Sequence, residues 1–516
     1  MNSRRLELIV FLCGAAVMAL EMTGSRMLAP YLGTSVFIWT SLIGIILASL
    51  SLGYWWGGKL SDRDPNTRSF GRVIFIAGLS IGVMAVLQEA ILTYIQTLRF
   101  DVRTGAVLAS IVLFAVPAVL LGMVSPYAVR LKITAVGNSG STVGNLYALS
   151  TLGSIVGTFL AGFFLIAWFP THVILYVLSL VIVATSFLAD PRFFLRRTVW
   201  VLFLGLGTAG TSYAAAALRG PDFIEANTLY NRVWIYDSVD PKNGRAIKVM
   251  NTNSSRSSAM YLENDDLVFT YNRYLRLARH FKPSPKHALV IGGAGYSYPR
   301  DFLKTFPKAK LDVVEIDPGL TEIARRHFRL QDDPRLRIFH EDGRIFLNHT
   351  TEKYDIIVGD AFHSVHSIPF HLTTLENARA LYDRLEEDGV VLMNIISAIE
   401  GKKGRFLRAE YRTFKEVFPQ VYVFATELES SRDTQNIILV ALKSKDAPAW
   451  ESADPELAGY LENLWKEKIR ADEPVLTDDF APTDILIAPA LPGYLQNESA
   501  RRIKQNLWEY LQNRKN

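Results

Sequence analysis

The sequence predicts two unlike halves: an α-helical, multi-span membrane domain, then a small β-domain and an α/β domain built on a doubly wound sheet. Three observations carry this. Most of residues 6–218 is apolar, whereas residues 220–516 have ordinary soluble composition. From Pro285 onward, short strand-like runs alternate with helical stretches, as in parallel strands joined by crossover helices. Third, HALVIGGAGYSYPRDFL reads as a buried strand, a glycine turn and a helix start, and LDVVEID ends a second strand with Glu315, about 20 residues past Gly295. That is nucleoside-site geometry: glycines let a ligand approach the backbone at a helix N-terminus, and the acid takes ribose hydroxyls.

The membrane half, residues 1–219, offers about seven spans, at 6–28, 36–58, 72–95, 105–129, 143–168, 172–190 and 197–218. Each is long enough for a hydrocarbon core of about 30 Å. The first has Arg4 and Arg5 before it and no small-residue cleavage site, so it reads as a retained span. Lys59, Arg63, Arg68 and Arg72, then Arg130 with Lys132, then Arg192, Arg196 and Arg197 lie on alternate connections, and the opposite ones carry only Arg99 and Arg103. The positive-inside rule puts the N-terminus in the cytoplasm of a multi-pass protein of the cell membrane. Seven spans would place the soluble half outside, unless 197–218 does not fully cross. The side of the soluble half is therefore left open.

The net charge of +5 reflects basic residues flanking the spans and points to a lipid bilayer, not to nucleic acid. Cys13 is the one cysteine, which excludes disulfides within the chain, cysteine-based metal sites and a cysteine nucleophile in the soluble half. Glu21 and Arg26, near the end of the first span, read as a structural ion pair or a functional site. Gly153 and Gly157 have small-xxx-small spacing for close helix packing. GGKLSDRDPNTRSFGR resembles one loop of major-facilitator transporters, and Asn348-His-Thr is a glycosylation sequon by spelling only.

In the soluble half, residues 220–285 read as a small β-rich domain: strands in TLYNRVWIYDS, AIKVMNT and SAMYLEN, then a helix over about 266–281. Residues 286–450 hold strands at 287–292, 311–316, 336–340, 354–359, 389–395 and 420–426, with helices near 298–306, 318–329, 343–349, 373–386 and 406–417. Residues 451–516 read as a C-terminal helical extension. Ligands of such a sheet bind beyond the C-terminal strand ends. Four groups sit there: Gly292, Gly293 and Gly295 after the first strand, Glu315 ending the second, Asp342 and Gly343 after the third, and Asp360 after the fourth. The plainer alternative makes the glycines a tight turn and Asp342 a helix N-cap. A dinucleotide site would want a third glycine where Tyr298 stands, so S-adenosylmethionine or a derivative fits better than NAD.

The soluble half also resembles a known family. PKHALVIGGAGYSYPRDFL, LDVVEIDPGLTEIARRHF, DDPRLRIFHEDGRIFL, KYDIIVGDAFHS, FHLTTLENARALYDRLEEDGVVLMN and FKEVFP are similar, in order and spacing, to the spermidine synthase (polyamine aminopropyltransferase) family over about residues 228–445. LTDDFAPTD, with the hydrophobic half in front, resembles its membrane-fused branch. The resemblance implies a small β-domain before a Rossmann-like nucleoside-binding domain of the S-adenosylmethionine-dependent transferase type. It also implies a homo-oligomer, with decarboxylated S-adenosylmethionine as co-substrate and a small-molecule amine as acceptor. It assigns Glu315 to the ribose, Asp342 to the adenine amino group and Asp360 to the attacking amine. Tyr271 matches the tyrosine of a substrate-binding stretch.

The polyamine half departs from the pattern. Gly295 stands where the family has an acid in its glycine loop, His363 replaces the second acid of its D-x-x-D loop, and Arg273 replaces a glutamate. His363, His366 and His371 are gained, and a histidine could act as base, so Asp360 and His363 are the candidate catalytic pair. His363 and His366 lack acidic partners at a familiar metal-ligand spacing, so they read as loop histidines and no metal is expected. Three readings beside aminopropyl transfer stay open: methyl transfer from S-adenosylmethionine, with Arg273 or Arg300 pairing its carboxylate; a non-catalytic module sensing a nucleoside or polyamine; and a transporter regulated by its soluble half.

Overall fold

The computed structural model describes residues 2–98, 100–133, 139–191, 205, 223–253, 255–361, 368–427 and 430–490. It divides into two compact units, Met1–Pro221 and Asp222–Asn516.

Six segments of the first unit, among the described residues, are helices long and apolar enough to cross a membrane: Ser3–Leu32, Val36–Arg63, Thr67–Thr97, Val102–Lys132, Ser139–Trp168 and Thr171–Ala189. The expected seventh span, 197–218, lies outside the described residues. We call the first three α1, α2 and α3. The fourth breaks at Met123 into α4 (Val102–Gly122) and α5 (Val124–Lys132). Pro126, in the first turn of α5, lacks an N–H and so cannot carry the hydrogen-bond ladder across this break. The fifth begins as α6 (Ser139–Phe159) and passes through a π-helical turn, Leu160–Leu165, and the last is α7 (Thr171–Ala189). Arg26 donates to the carbonyl of Ile166, just past that turn. A widened turn disturbs the regular hydrogen-bond ladder and leaves a carbonyl for an outside donor.

Gly153 and Gly157 face the α1 backbone at Phe11 and Ala15 so closely that no side chain fits between. Lys132 pairs with Glu7 at 2.6 Å and Arg130 with Asp62 at 3.2 Å. The start of α1 and the ends of α2 and α5 thus share one side of the bundle, as the charge pattern requires.

The second unit opens with an antiparallel sheet of β1 (Ile224–Asn227), β2 (Arg232–Val239), β3 (Ala246–Thr252) and β4 (Ser255–Tyr261), in that order. The helix expected over 266–281 is broken into α8 (Thr270–Tyr274), a 3₁₀ turn and Ala278–Phe281. Then come β5 (His287–Ile291), α9 (Ser297–Thr305), β6 (Lys310–Val314), α10 (Pro318–His327), β7 (Leu336–Phe339), α11 (Gly343–His349), β8 (Tyr354–Gly359), α12 (Leu375–Arg384), β9 (Leu385–Ser397), α13 (Arg405–Lys415), β10 (Gln420–Ala425) and β11 (Gln435–Leu442). Val233, Ile235 and Met250 of the first sheet join Val290, Leu311 and Val358 of the second in one core. β8 is buried at every position, which is the pattern of a strand covered on both faces.

The large sheet has the order β10-β11-β9-β8-β5-β6-β7. β5 to β9 are parallel, but β11 runs antiparallel to both β9 and β10. The parallel sheet expected from sequence holds for β5 to β9 and gives way at the β11 and β10 edge. Among the described residues no helix lies between β10 and β11, and a short connection can join only antiparallel strands. β11 was missed because its apolar run follows the last strand–helix alternation. The chain starts at the centre with β5, winds out through β6 and β7, then returns to β8. The switch point therefore lies between β5 and β8, where crevices of such sheets form.

Candidate active site

The turn after β5 is held in an unusual conformation. Gly292, Ala294 and Tyr296 have φ of 98°, 44° and 56°. Two of these are not glycine, and such strain persists only where the surroundings enforce it. Glu315 enforces it. Its Oε2 accepts from the amides of Gly293 (2.8 Å) and Ala294 (2.9 Å), and its Oε1 from Asp317 (2.9 Å). The carboxylate is 1% exposed. A carboxylate has about four acceptor positions, so one is left, on Oε1. Asp317 caps α10 and is held by Thr228 and Asn231 of the turn between β1 and β2, at 2.7 Å from Asn231. Tyr296 is buried and shares a hydrogen bond with Thr321 at 2.7 Å.

Gly292 is required at its position. Besides its positive φ, a Cβ there would run into the backbone carbonyl of Asp360. The ends of β5 and β8 therefore touch, and Asp360 borders the glycine turn. One Asp360 carboxylate oxygen accepts from Asn394 Nδ2 at 2.8 Å, and Asn394 Oδ1 accepts from Asn436 Nδ2 at 3.0 Å. Asn394 lies in β9 and Asn436 in β11, so an amide relay crosses the sheet and fixes the carboxylate's direction. These amides gave no sequence signal, because each sits inside an apolar strand.

A shallow cleft opens here, lined by Tyr271, Asn272, Ser258, Gly292, Gly293 and Asp360 among others. Tyr271 stacks on Phe269 with ring centroids 5.8 Å apart. Gly295 lies behind the cleft. Its amide donates to Ser258 Oγ at 2.9 Å, and a Cβ would stand 2.6 Å from the Ser258 Cβ. Ser258 fills the space an acid at this position would use. The sequence reading missed Ser257, Ser258 and Asn272, which look like ordinary strand and helix-start residues.

Two arginines that could meet a ligand carboxylate have partners of their own. Arg273 does not line the cleft: its Nε donates to the Leu267 carbonyl at 2.8 Å and its Nη2 reaches the Tyr261 hydroxyl at 3.4 Å. Arg300 is drawn instead to Asp265 at 2.8 Å. Neither is among the residues that line the cleft. His363 and His366 fall outside the described residues.

Asp342 and Gly343 lie at the end of β7. Asp342 caps α11, its Oδ1 accepting from the amides of Arg344 (2.8 Å) and Ile345 (3.1 Å). Its Oδ2 lies 2.9 Å from His371 Nε2. The His371 hydrogen bond, with the two amides, holds the Asp342 carboxyl below its usual range despite partial burial. The capping alternative is thus realised, and it still leaves a carboxylate at a strand end. A Cβ on Gly343 would stand 2.5 Å from Ile291 Cγ2, so α11 starts hard against β5.

Comparison with known proteins gives a consistent set. The spermine/spermidine synthase domain model matches residues 268–448. A polyamine aminopropyltransferase of Vibrio vulnificus is 27% identical over 286 residues, covering 51% of this chain and 90% of that protein. Polyamine aminopropyltransferase 2 of Aquifex aeolicus is 25% identical over 420 residues, covering 76% of this chain and 78% of that protein. That stretch is longer than the soluble unit, so the likeness extends into the apolar half. A probable spermidine synthase from Corynebacterium glutamicum, of known structure, is 22% identical with a TM-score of 0.40, covering 48% of this chain and 89% of that one.

Proposed function

We propose that this chain, which belongs to the spermine/spermidine synthase family through its C-terminal half, is a membrane-anchored transferase. It moves an aminopropyl group from decarboxylated S-adenosylmethionine to an amine. The observation that carries this reading is the Asp360 carboxylate, aimed by Asn394 and set beside the glycine turn in the cleft at the switch point.

In the reaction the acceptor nitrogen attacks the carbon beside the sulfonium, the C–S bond breaks, and its electron pair returns to sulfur as methylthioadenosine leaves. The acceptor must shed one proton, and Asp360 takes it. A positioned base of this kind contributes about 10²–10⁴-fold. Glu315, with one acceptor position left on Oε1, is suited to a ribose hydroxyl, and Asp342 to the adenine amino group. His363, next to the reacting end in sequence, remains a second candidate base. Methyl transfer is the weaker reading, because Arg273 and Arg300 are spent on other partners and leave the carboxylate of S-adenosylmethionine unpaired.

The six apolar helices supply the anchor, and the basic connections favour a cytoplasmic N-terminus. Binding of methylthioadenosine to the full chain in detergent tests the nucleoside half. Glu315→Ala and Asp342→Ala each reduce that affinity more than tenfold on this account. Unchanged affinity in both variants would sink the assignment.

A further inference from the structure

We propose that the acceptor is a monoamine with a neutral hydrogen-bonding tail, such as an amino alcohol, and not a diamine. The inference rests on the transferase reading above and names the class of its second substrate. Asp360 is the carboxylate that lines the cleft among the described residues, and the other polar lining is neutral: Ser257, Ser258, Asn272 and Ser297. The sequence over 361–371, AFHSVHSIPFH, adds no acid. Gly295 has no room for one beside Ser258.

The donor already brings a sulfonium and the ammonium of its aminopropyl group. A diamine would add a distal ammonium, and among the described residues the cleft lining offers no second carboxylate to meet it; burying an unpaired cation is expensive. Asn272 supplies the opposite chemistry. It is 4% exposed, lines the cleft, and its Oδ1 has no hydrogen-bond partner among the described residues. A buried carbonyl oxygen calls for a donor. A hydroxyl gives it one proton and can accept from a serine in return. Sites built to bond a hydroxyl discriminate strongly against analogues lacking it.

The test uses the full chain in detergent with decarboxylated S-adenosylmethionine and three acceptors of one length: 4-aminobutan-1-ol, 1,4-diaminobutane and butylamine. The expected result is a kcat/KM for the amino alcohol at least about tenfold above the other two. Asn272→Asp, which swaps the amide for a carboxylate of the same shape, should move the preference to the diamine. A natural chain that uses the diamine as well as or better than the amino alcohol overturns this inference and leaves the transferase reading standing. Retained methylthioadenosine binding with no transfer to any of the three overturns both.

Discussion

Asp360 takes its meaning from two neighbours far away in sequence. Asn394 and Asn436 hold one of its oxygens in a chain of amide hydrogen bonds, while Gly292 presses against its carbonyl. Asp360→Asn keeps the shape and removes the base. Turnover should fall about 10²–10⁴-fold while methylthioadenosine affinity stays within about twofold, which separates a proton-accepting role from a merely structural one. Asp312 makes a different prediction, about stability. It is 1% exposed on β6, 3.1 Å from His287 and 2.7 Å from Arg337, and Tyr354 donates to it at 2.9 Å. Burial pushes its carboxyl up, but His287 and Arg337 outweigh that and hold it at about 2. A depressed carboxyl stabilises the fold above its ordinary value and loses that contribution as pH falls through the folded value. Asp312→Asn should therefore cost about 2 kcal/mol at neutral pH, with the gap from the natural chain closing between about pH 4 and pH 2. A gap that is constant over that window would contradict the ion-pair account. At this scale the strand-end acids were legible, because a parallel sheet puts its chemistry there. Asn394, Asn272 and Ser258 were not, since nothing in an apolar strand or a helix start marks which polar residue faces a cleft. The bond from His371 to Asp342 spans 29 residues and was equally invisible.

The glycine turn is the element on which the site depends. Glu315 draws two of its amides inward, and Gly292 adopts a φ of 98° that other residues avoid. Gly292→Ala meets both the φ penalty and the Asp360 carbonyl. It should cost about 1–3 kcal/mol of stability and abolish methylthioadenosine binding, readable from melting curves with and without the nucleoside. A variant that melts and binds like the natural chain would show that the turn is not constrained as described. The alternation of strands and helices from Pro285 made this element and its flanking strands readable, often to within a residue or two. The pattern ran out at Gln435–Leu442, an apolar strand with no crossover helix before it. The broken helix near 270–281 was also read too long. Its fragments are set by packing against Asp301 and Glu456, both held by Arg276, and not by periodicity.

At the scale of the whole molecule, hydropathy alone separates the two units at about residue 220, because an apolar span and a half-buried strand differ in composition over any window of 20 residues. The paired charges Glu7–Lys132 and Asp62–Arg130 tie the start of α1 and the ends of α2 and α5 together at one end of the bundle. The break at Met123 and the π turn at Leu160–Leu165 were hidden, since both depend on local hydrogen bonding inside runs that are apolar throughout. The central claim is that the soluble half performs amine-dependent group transfer on a nucleoside sulfonium. The most direct measurement is formation of methylthioadenosine by the purified full chain from decarboxylated S-adenosylmethionine, with and without a primary amine. The account requires amine-dependent release that disappears in Asp360→Asn. Tight binding of S-adenosylmethionine in preference to its decarboxylated form, with no methylthioadenosine formed in the presence of any amine, would contradict it.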